Sequence, residues 1–230
     1  TWFWVMGKHG VNHRIGVMGG SFNPVHCGHL SVARDVKATL KLDRMALMPA
    51  AQSPFKGVHS VSAEHRAAML ELAVATHPEL DLDLRELSRK GPSYTIDSLE
   101  ALRQEQGSQA SLYFIMGDDL LPSLTRWSRW QEILHYAHVV VVSRPGVFPA
   151  VPATVKKWWN HHEMSLEALG QSPCGGVSRV ECSLVNTSST AIRAAIELGS
   201  PVSEVIPDPV IEYITQHKLY AVPSQAEANP

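Results

Sequence analysis

The densest group of chemically capable residues in the chain lies at positions 19–30, in the segment GGSFNPVHCGHL. Its leading glycines allow the backbone to approach a phosphate closely, and a helix that begins after them supplies free N–H groups and a partial positive charge. His26 and His29 are three residues apart, so both imidazoles can face one side of the first helical turn. Gly28 between them leaves room for a ligand. The segment therefore predicts a binding site for a phosphorylated molecule.

A second such segment, TSSTAIR, occupies positions 187–193. Ser188 or Ser189 is a good helix N-cap, and the N–H groups beside a capping hydroxyl bind phosphate well. Arg193 follows about one turn later, where its guanidinium can reach the same phosphates. Alone, this pattern is more often a plain cap with a solvated arginine. Together with the histidine segment, it favours a phosphate site assembled from both ends of the chain.

Other chemistries fit these residues less well. The spacing of His26 and His29 also permits a zinc pair, with Asp119 as a third ligand in principle. The glycine spacing differs from the GxGxxG fingerprint of dinucleotide-binding folds, and the chain contains no GxxxxGK[ST] phosphate loop. The sequence therefore disfavours a dehydrogenase or a P-loop enzyme, and it leaves the zinc alternative open.

The hydrophobic pattern indicates the scaffold that must position these residues. Short continuous apolar runs, typical of parallel strands buried on both faces, alternate with segments of helical periodicity. Strands are predicted at residues 15–18, 45–48, 80–84, 112–116, 139–142 and 180–185, and helices at 28–40, 63–76, 95–106, 155–159, 189–198 and 209–216. This order predicts an α/β fold, a Rossmann-like doubly wound parallel sheet with a small C-terminal helical part, whose ligands bind at the carboxyl ends of the strands.

The length of 230 residues suits one large domain. We expect that domain to span residues 14–222, after an N-terminal extension at 1–13 and before a tail at 223–230. Within it, residues 148–177 are rich in Pro, Gly, Trp and His and are expected to form an irregular insertion. Residues 186–220 are expected to form the C-terminal helical part.

Bulk composition excludes several classes of function. A formal net charge of -2 argues against binding of nucleic acid, which usually requires a basic face. No apolar run approaches the length of a membrane span, so no membrane association is expected. Cys27, Cys174 and Cys182 are odd in number and lack CxxC spacing, which disfavours a disulfide framework or a zinc ribbon and predicts a cytoplasmic location.

The motifs resemble those of a known family. Residues 19–30 are similar to the GG[ST]F[DN]PxHxGHL signature of the nucleotidylyltransferase superfamily, and residues 187–193 are similar to its late ISSTxIR motif. GPSYTIDSL at 91–99, and GDD at 117–119 followed by Trp127, resemble segments of the bacterial nicotinate-nucleotide adenylyltransferases. The resemblance extends from about residue 14 to residue 220.

This resemblance implies an ATP site beside a pyridine-nucleotide site. His26 and His29 would be the catalytic residues, stabilising charge as pyrophosphate leaves. Trp127 would stack on the pyridine ring, backbone amides around Thr95 would hold the carboxylate, and Asp119 would bind ribose hydroxyls or the metal-nucleotide. The implied ATP-binding residues are Gly19, Gly20, Ser21, Phe22, His26, His29, Gly117, Asp119, Ser188, Ser189 and Arg193. The implied substrate-binding residues are Asn23, Lys56, Tyr94, Thr95 and Trp127.

By the same resemblance, the 5′-phosphate of nicotinate mononucleotide attacks the α-phosphorus of ATP, with Mg²⁺ carried in by the ATP and no metal site in the protein. The chain would act as a monomer or a homodimer. On residue type alone, Tyr94 and Trp127 fit ordinary core aromatics equally, and the Asp118–Asp119 pair fits a helix cap.

The chain departs from the family pattern at three positions. Asn23 replaces a common Asp, Phe55 replaces the histidine of a PPHK-like stretch so that only Lys56 remains there to meet a phosphate, and Thr187 replaces Ile. Nicotinamide mononucleotide therefore remains an alternative acceptor, and phosphopantetheine a weaker one. A nucleotide-binding regulator without turnover also remains open, whereas a structural protein would have no use for so many phosphate-binding groups.

Overall fold

The computed structural model describes residues 13–51, 61–89, 93–143, 149–182 and 187–220. Lys56 and Phe55 lie outside these ranges, as do residues 1–12 of the expected extension and the whole of the expected tail. In the described part, no helix is long and apolar enough to cross a membrane.

The centre of the molecule is a six-stranded sheet in the order β3-β2-β1-β4-β5-β6. Every neighbouring pair is parallel, as the continuous apolar runs predict. The strands are β1 (Arg14–Gly20), β2 (Arg44–Pro49), β3 (Asp81–Leu82), β4 (Ser111–Gly117), β5 (His138–Ser143) and β6 (Val177–Glu181). The order reverses between β1 and β4, so the predicted α/β doubly wound sheet is confirmed, and its switch point lies at the centre.

Helices cover both faces of this sheet. They are α1 (Cys27–Leu40), α2 (Ala63–Ala75), α3 (Arg85–Ser88), α4 (Thr95–Gln106), α5 (Ala153–His162), α6 (Leu166–Leu169), α7 (Ser189–Glu197) and α8 (Asp208–Gln216), with 3₁₀ segments at Asp118–Arg126 and Trp130–His135. One hydrophobic cluster joins the sheet to α1, α2, α7 and α8, which we call the first face. A second cluster joins it to α4, α5 and the 3₁₀ segments, which we call the second face. Alternate residues along the strands supply the two clusters, as the two-residue period of a strand requires.

Three elements differ from their predicted form. β3 has only two residues rather than five, because the carboxylate of Asp83 accepts hydrogen bonds from the N–H and Nε of Arg85, where α3 begins. β6 begins at Val177, three residues before the predicted start, because Val177 pairs with Val139 of β5. The helix predicted at 155–159, within the expected insertion, is longer and spans ten residues as α5, whose two tryptophans are buried in the second cluster.

Candidate active site

A cavity of about 900 Å³ opens at the carboxyl ends of the central strands. Side chains from both faces of the sheet line it, which is the expected place for a ligand in a doubly wound fold. The predicted site residues that line it are Gly19, Gly20, Ser21, His26, His29, Tyr94, Thr95, Gly117, Asp119, Trp127, Ser188, Ser189 and Arg193. The structure therefore brings together motifs that are more than 160 residues apart in sequence.

The two histidines form a stacked pair at the start of α1. Their ring centroids are 3.6 Å apart, and the rings are inclined by 24°. The N–H of His26 donates to Nδ1 of His29 at 3.3 Å, so the neutral His29 imidazole carries its hydrogen on Nε2. Burial lowers the pKa of His26 to about 4. Burial, together with the adjacent His26, lowers the pKa of His29 well below its usual value. Both rings are therefore neutral near pH 7, and His29 presents an N–H donor.

Gly28 is required by the position of His26 as much as by any ligand. A Cβ at position 28 would lie 3.0 Å from Nδ1 of His26 and 3.1 Å from its Cε1. Such a contact is tighter than van der Waals packing normally allows, so any side chain here would displace the imidazole. Glycine is thus needed for the stacked arrangement of the histidines.

The late motif contacts the loop after β1 directly. Ser188 caps α7, accepting a hydrogen bond from the N–H of Ala191 at 3.1 Å. The Ser189 hydroxyl donates to the carbonyl of Pro24 at 3.0 Å, and Nη1 of Arg193 donates to the carbonyl of Asn23 at 2.7 Å. Residues predicted to bind ATP therefore also fix the loop on which the histidine motif depends.

Two predicted residues do not line the cavity. Phe22 is only 1% exposed and packs in the first hydrophobic cluster, with its ring at the edge of the His29 ring. Asn23 is also buried, and its Oδ1 accepts a 2.6 Å hydrogen bond from the hydroxyl of Tyr220. The ATP contact at Phe22 and the substrate contact at Asn23 stay predictions, and they did not anticipate this packing. Both side chains support the loop from behind.

On the second face, the cavity is bounded by the start of α4 and by an aromatic side chain. α4 begins at Thr95, and Tyr94 at its N-cap makes no side-chain hydrogen bond to the first turn. Trp127 follows the 3₁₀ segment and contacts Phe114 of β4 edge-on, with 6.1 Å between ring centroids. Tyr94 is 43% exposed, and Trp127 is partly exposed at the edge of the second cluster.

Several cavity residues were not predicted from sequence. Glu86, Asp118 and Arg126 also line the cavity. Burial raises the pKa of the Glu86 carboxyl, and burial followed by the adjacent Asp119 raises that of Asp118. The only sequence signal for Asp118 and Arg126 was their position beside recognised motifs, since Asp118 precedes Asp119 and Arg126 precedes Trp127, and Glu86 had no such signal.

The zinc alternative finds no support in the described ranges. Among these residues, no three His, Cys, Asp or Glu side chains gather in a way that would hold a metal ion. His26 and His29 are stacked face to face instead of converging on a common point. All three cysteines lie in the described part and are unpaired.

Comparison with known proteins agrees with the geometry. A family model described as cytidylyltransferase-like matches residues 17–195. A Cellvibrio japonicus protein named "Probable nicotinate-nucleotide adenylyltransferase" is 42% identical, over 90% of this chain and 98% of its own. The chain belongs to the nicotinate-nucleotide adenylyltransferase family. A Pseudomonas putida (strain W619) protein of the same name is 36% identical over 95% of this chain and 100% of its own.

The fold is likewise shared with a solved structure of this adenylyltransferase class. The structure of Plasmodium falciparum nicotinic acid mononucleotide adenylyltransferase complexed with NaAD matches with a TM-score of 0.68 at 16% identity. The match covers 90% of this chain and 97% of that one. At this identity the comparison establishes the fold, whereas the relatives at 36–42% identity establish the family. This family membership makes the chain a nucleotidyltransferase.

Proposed function

We propose that this protein transfers the adenylyl group of ATP to the 5′-phosphate of nicotinate mononucleotide, forming deamido-NAD and pyrophosphate in NAD biosynthesis. The observation that carries the proposal is that one cavity at the switch point is lined from the first face by His26, His29 and Arg193 and from the second by Thr95 and Trp127. The residues of the first face suit a triphosphate, and those of the second face suit a planar ring with a carboxylate.

The reaction needs positioning and charge neutralisation more than acid–base chemistry. An oxygen of the acceptor phosphate, already ionised near pH 7, forms a bond to the α-phosphorus of ATP. The bond from the α-phosphorus to the oxygen bridging the β-phosphorus breaks, and its electron pair leaves with pyrophosphate. No proton must be removed from the nucleophile, so preorganised donors account for the rate.

The first face supplies these donors. Nε2 of His29 is the hydrogen-bond donor of a neutral imidazole, and His26 lies stacked against it. The N-terminus of α1, the N-terminus of α7 and the Arg193 guanidinium add positive potential where negative charge develops. We assign the triphosphate to this face, with Ser21, Ser188 and Ser189 as further contacts and Gly19 and Gly20 allowing close approach.

The second face suits the pyridine nucleotide. The Tyr94 side chain does not cap the first turn of α4, so this turn offers backbone N–H groups to a carboxylate. Trp127 provides an aromatic surface in the same cavity. A carboxylate at a helix N-terminus is favoured over a neutral amide, which is the physical basis for preferring the acid as acceptor.

Mg²⁺ would enter with ATP and neutralise charge on the phosphates when bound. Asp118 and Asp119 offer carboxylate oxygens in the cavity, the donor type that Mg²⁺ prefers, and one or two such ligands suffice beside phosphates and water. In this proposal the enzyme works in the cytoplasm, as a monomer or a homodimer.

The test is pyrophosphate release with ATP and Mg²⁺, comparing nicotinate mononucleotide with nicotinamide mononucleotide at equal concentration. We expect a strong preference for the acid. Preference for the amide would keep the chemistry but reassign the acceptor, and no release with either would contradict adenylyl transfer and favour a nucleotide-binding regulator.

A further inference from the structure

A buried arginine outside the predicted motifs ties two segments of the cavity wall together. Arg66 lies in α2 and is only 6% exposed. Its Nη1 donates to the carbonyl of Ser21 at 2.9 Å and to that of Ala50 at 2.7 Å, and its Nη2 donates to the carbonyl of Ala51 at 2.7 Å. One guanidinium therefore joins the loop after β1 to the chain leaving β2.

The same short segment after β2 is attached to the second face. The backbone of Ala51 hydrogen-bonds to the carboxyl of Glu86. Oε1 of Glu86 also accepts a 2.8 Å hydrogen bond from the hydroxyl of Ser98, which is buried in the first turns of α4. A chain of contacts thus leads from the loop through Arg66, Ala51 and Glu86 to the helix whose start bounds the cavity on the second face.

This connection joins the two sides of the cavity, where the two substrates must be held at a fixed distance. The loop after β1 belongs to the triphosphate side of the cavity, and α4 belongs to the pyridine side. In-line transfer requires the attacking phosphate oxygen and the α-phosphorus to be held within about 3–3.5 Å, and an error of about 1 Å can cost about 100-fold in rate. Contacts that fix one side of the cavity relative to the other would therefore affect kcat more than the affinity for either substrate.

On the basis of the proposed function, we propose that Arg66 is a positioning residue. It fixes the loop after β1 relative to the Ala50–Ala51 segment and, through Glu86, fixes the same loop relative to α4. A guanidinium suits this task because its planar fork presents donors in several directions at once, whereas a lysine ammonium acts as a single point of charge.

Arg103 provides a matched control within the same chain. It is a half-buried arginine that also donates only to backbone carbonyls in its hydrogen bonds, those of Gly107, Ala110, Tyr136 and Pro173. These carbonyls lie at the amino ends of the strands, opposite the cavity. Arg103 lies in the last turn of α4, so Arg103→Met removes the same kind of structural contact at the end of α4 away from the cavity and leaves the Arg66–Ala51–Glu86 connection to its first turns in place.

The experiment compares Arg66→Lys, Arg66→Met and Arg103→Met with the unaltered protein. The measurements are kcat per folded molecule, KM for each substrate, the Kd of Mg-ATP alone by calorimetry, and the thermal midpoint. For Arg66→Met we expect kcat to fall about 100-fold with the Mg-ATP Kd within about threefold of its original value, because geometry and not affinity is lost. For Arg66→Lys we expect a fall of about tenfold. Arg103→Met should lower the midpoint and leave kcat per folded molecule unchanged.

Two results would overturn the proposal. One is an Arg66 variant whose kcat per folded molecule matches that of Arg103→Met, which would make Arg66 merely structural. The other is a Kd for Mg-ATP that rises as much as kcat falls, which would make Arg66 part of ATP binding. If Arg66→Met does not fold, Arg66→Lys decides by the same criteria. Failure of the proposed function is separate, because it would appear as absent turnover in the unaltered protein.

Discussion

The two ends of the central sheet use similar residues in opposite ways. At the amino ends of the strands, His138 is fully buried, with Nε2 bonded to the carbonyl of Ser172 at 2.9 Å and Nδ1 accepting from the N–H of Gly176 at 3.0 Å. At the carboxyl ends, the Nδ1 of His29 is held by a backbone N–H and its Nε2 hydrogen remains for the cavity. Among the described residues, the buried Nδ1 of His26 has no hydrogen-bond partner.

The difference separates stability from function. A histidine bonded at both ring nitrogens to fixed backbone groups has no remaining capacity for a ligand, so it stabilises one arrangement of loops. A buried polar atom without a partner costs free energy in the folded protein and needs an explanation such as a ligand. The amino ends therefore behave as a closed structural region, and the carboxyl ends as a region prepared for a charged substrate.

The largest effect should come from removing the N–H donor that His29 presents at the carboxyl ends of the strands. We expect His29→Ala to lower kcat about 100- to 1,000-fold, the usual cost of deleting one preorganised donor to developing charge. The measurement is initial-rate pyrophosphate release normalised to folded protein, with near-ultraviolet circular dichroism as the check of folding. Turnover unchanged in a folded His29→Ala protein would remove the catalytic assignment.

The matching change at the amino ends, His138→Ala, should lower stability and leave kcat unchanged. His138→Ala leaves the N–H of Gly176 without its partner, removes one of the two donors to the carbonyl of Ser172 and creates a cavity, which together should cost about 2–5 kcal/mol of unfolding free energy. We expect kcat per folded molecule to stay at its original value. Denaturant unfolding measures the loss of stability. A large fall in kcat at full folding would contradict the division between the two ends.

Within the carboxyl end, Trp127 distinguishes the two faces of the cavity. We expect Trp127→Ala to raise KM for nicotinate mononucleotide about tenfold, because an aromatic contact worth about 1 kcal/mol and the apolar burial around it are lost together. KM for ATP should change much less, because ATP is assigned to the first face. Phe at this position should retain most of the affinity. Equal changes in both KM values would contradict a stacking role for Trp127.

The sequence predicted the parts of this arrangement that depend on local pattern. Continuous apolar runs revealed the parallel strands, and the serine before an apolar helix revealed the Ser188 cap. It missed Arg66 and Glu86 because both look like solvated surface charges in the sequence, and only tertiary packing buries them. The core position of the Phe22 side chain was not predicted for the related reason that a residue within a binding motif can face the core behind the loop.

The length of strands was also decided by tertiary contacts. β3 is cut short by a side-chain contact between Asp83 and Arg85, and β6 gains its first residues from pairing with β5. Such contacts leave no periodic trace in a single sequence, which is why the order of elements was predictable and some of their ends were not.

The smallest expected effect concerns protons, and it tests whether the histidines at the two ends differ in electrostatic role. Burial lowers the pKa of His26 to about 4, and burial together with the adjacent His26 lowers that of His29 well below its usual value, so both are neutral near pH 6. A bound polyanion favours the charged imidazole and raises these pKa values, so ATP binding should take up protons between about pH 4 and 6.5, and affinity should increase as the pH falls through that range. Calorimetry in buffers of different ionisation enthalpy measures the uptake.

The control for this measurement is the double variant His26→Gln, His29→Gln, which removes the contribution of the cavity histidines and leaves the protons of ATP itself. Burial also lowers the pKa of His138, which does not line the cavity, so His138→Ala should bind ATP with the original uptake. Uptake that survives the double variant would show that the protons belong to ATP, whereas uptake lost only with His138→Ala would overturn the contrast between the two ends of the sheet.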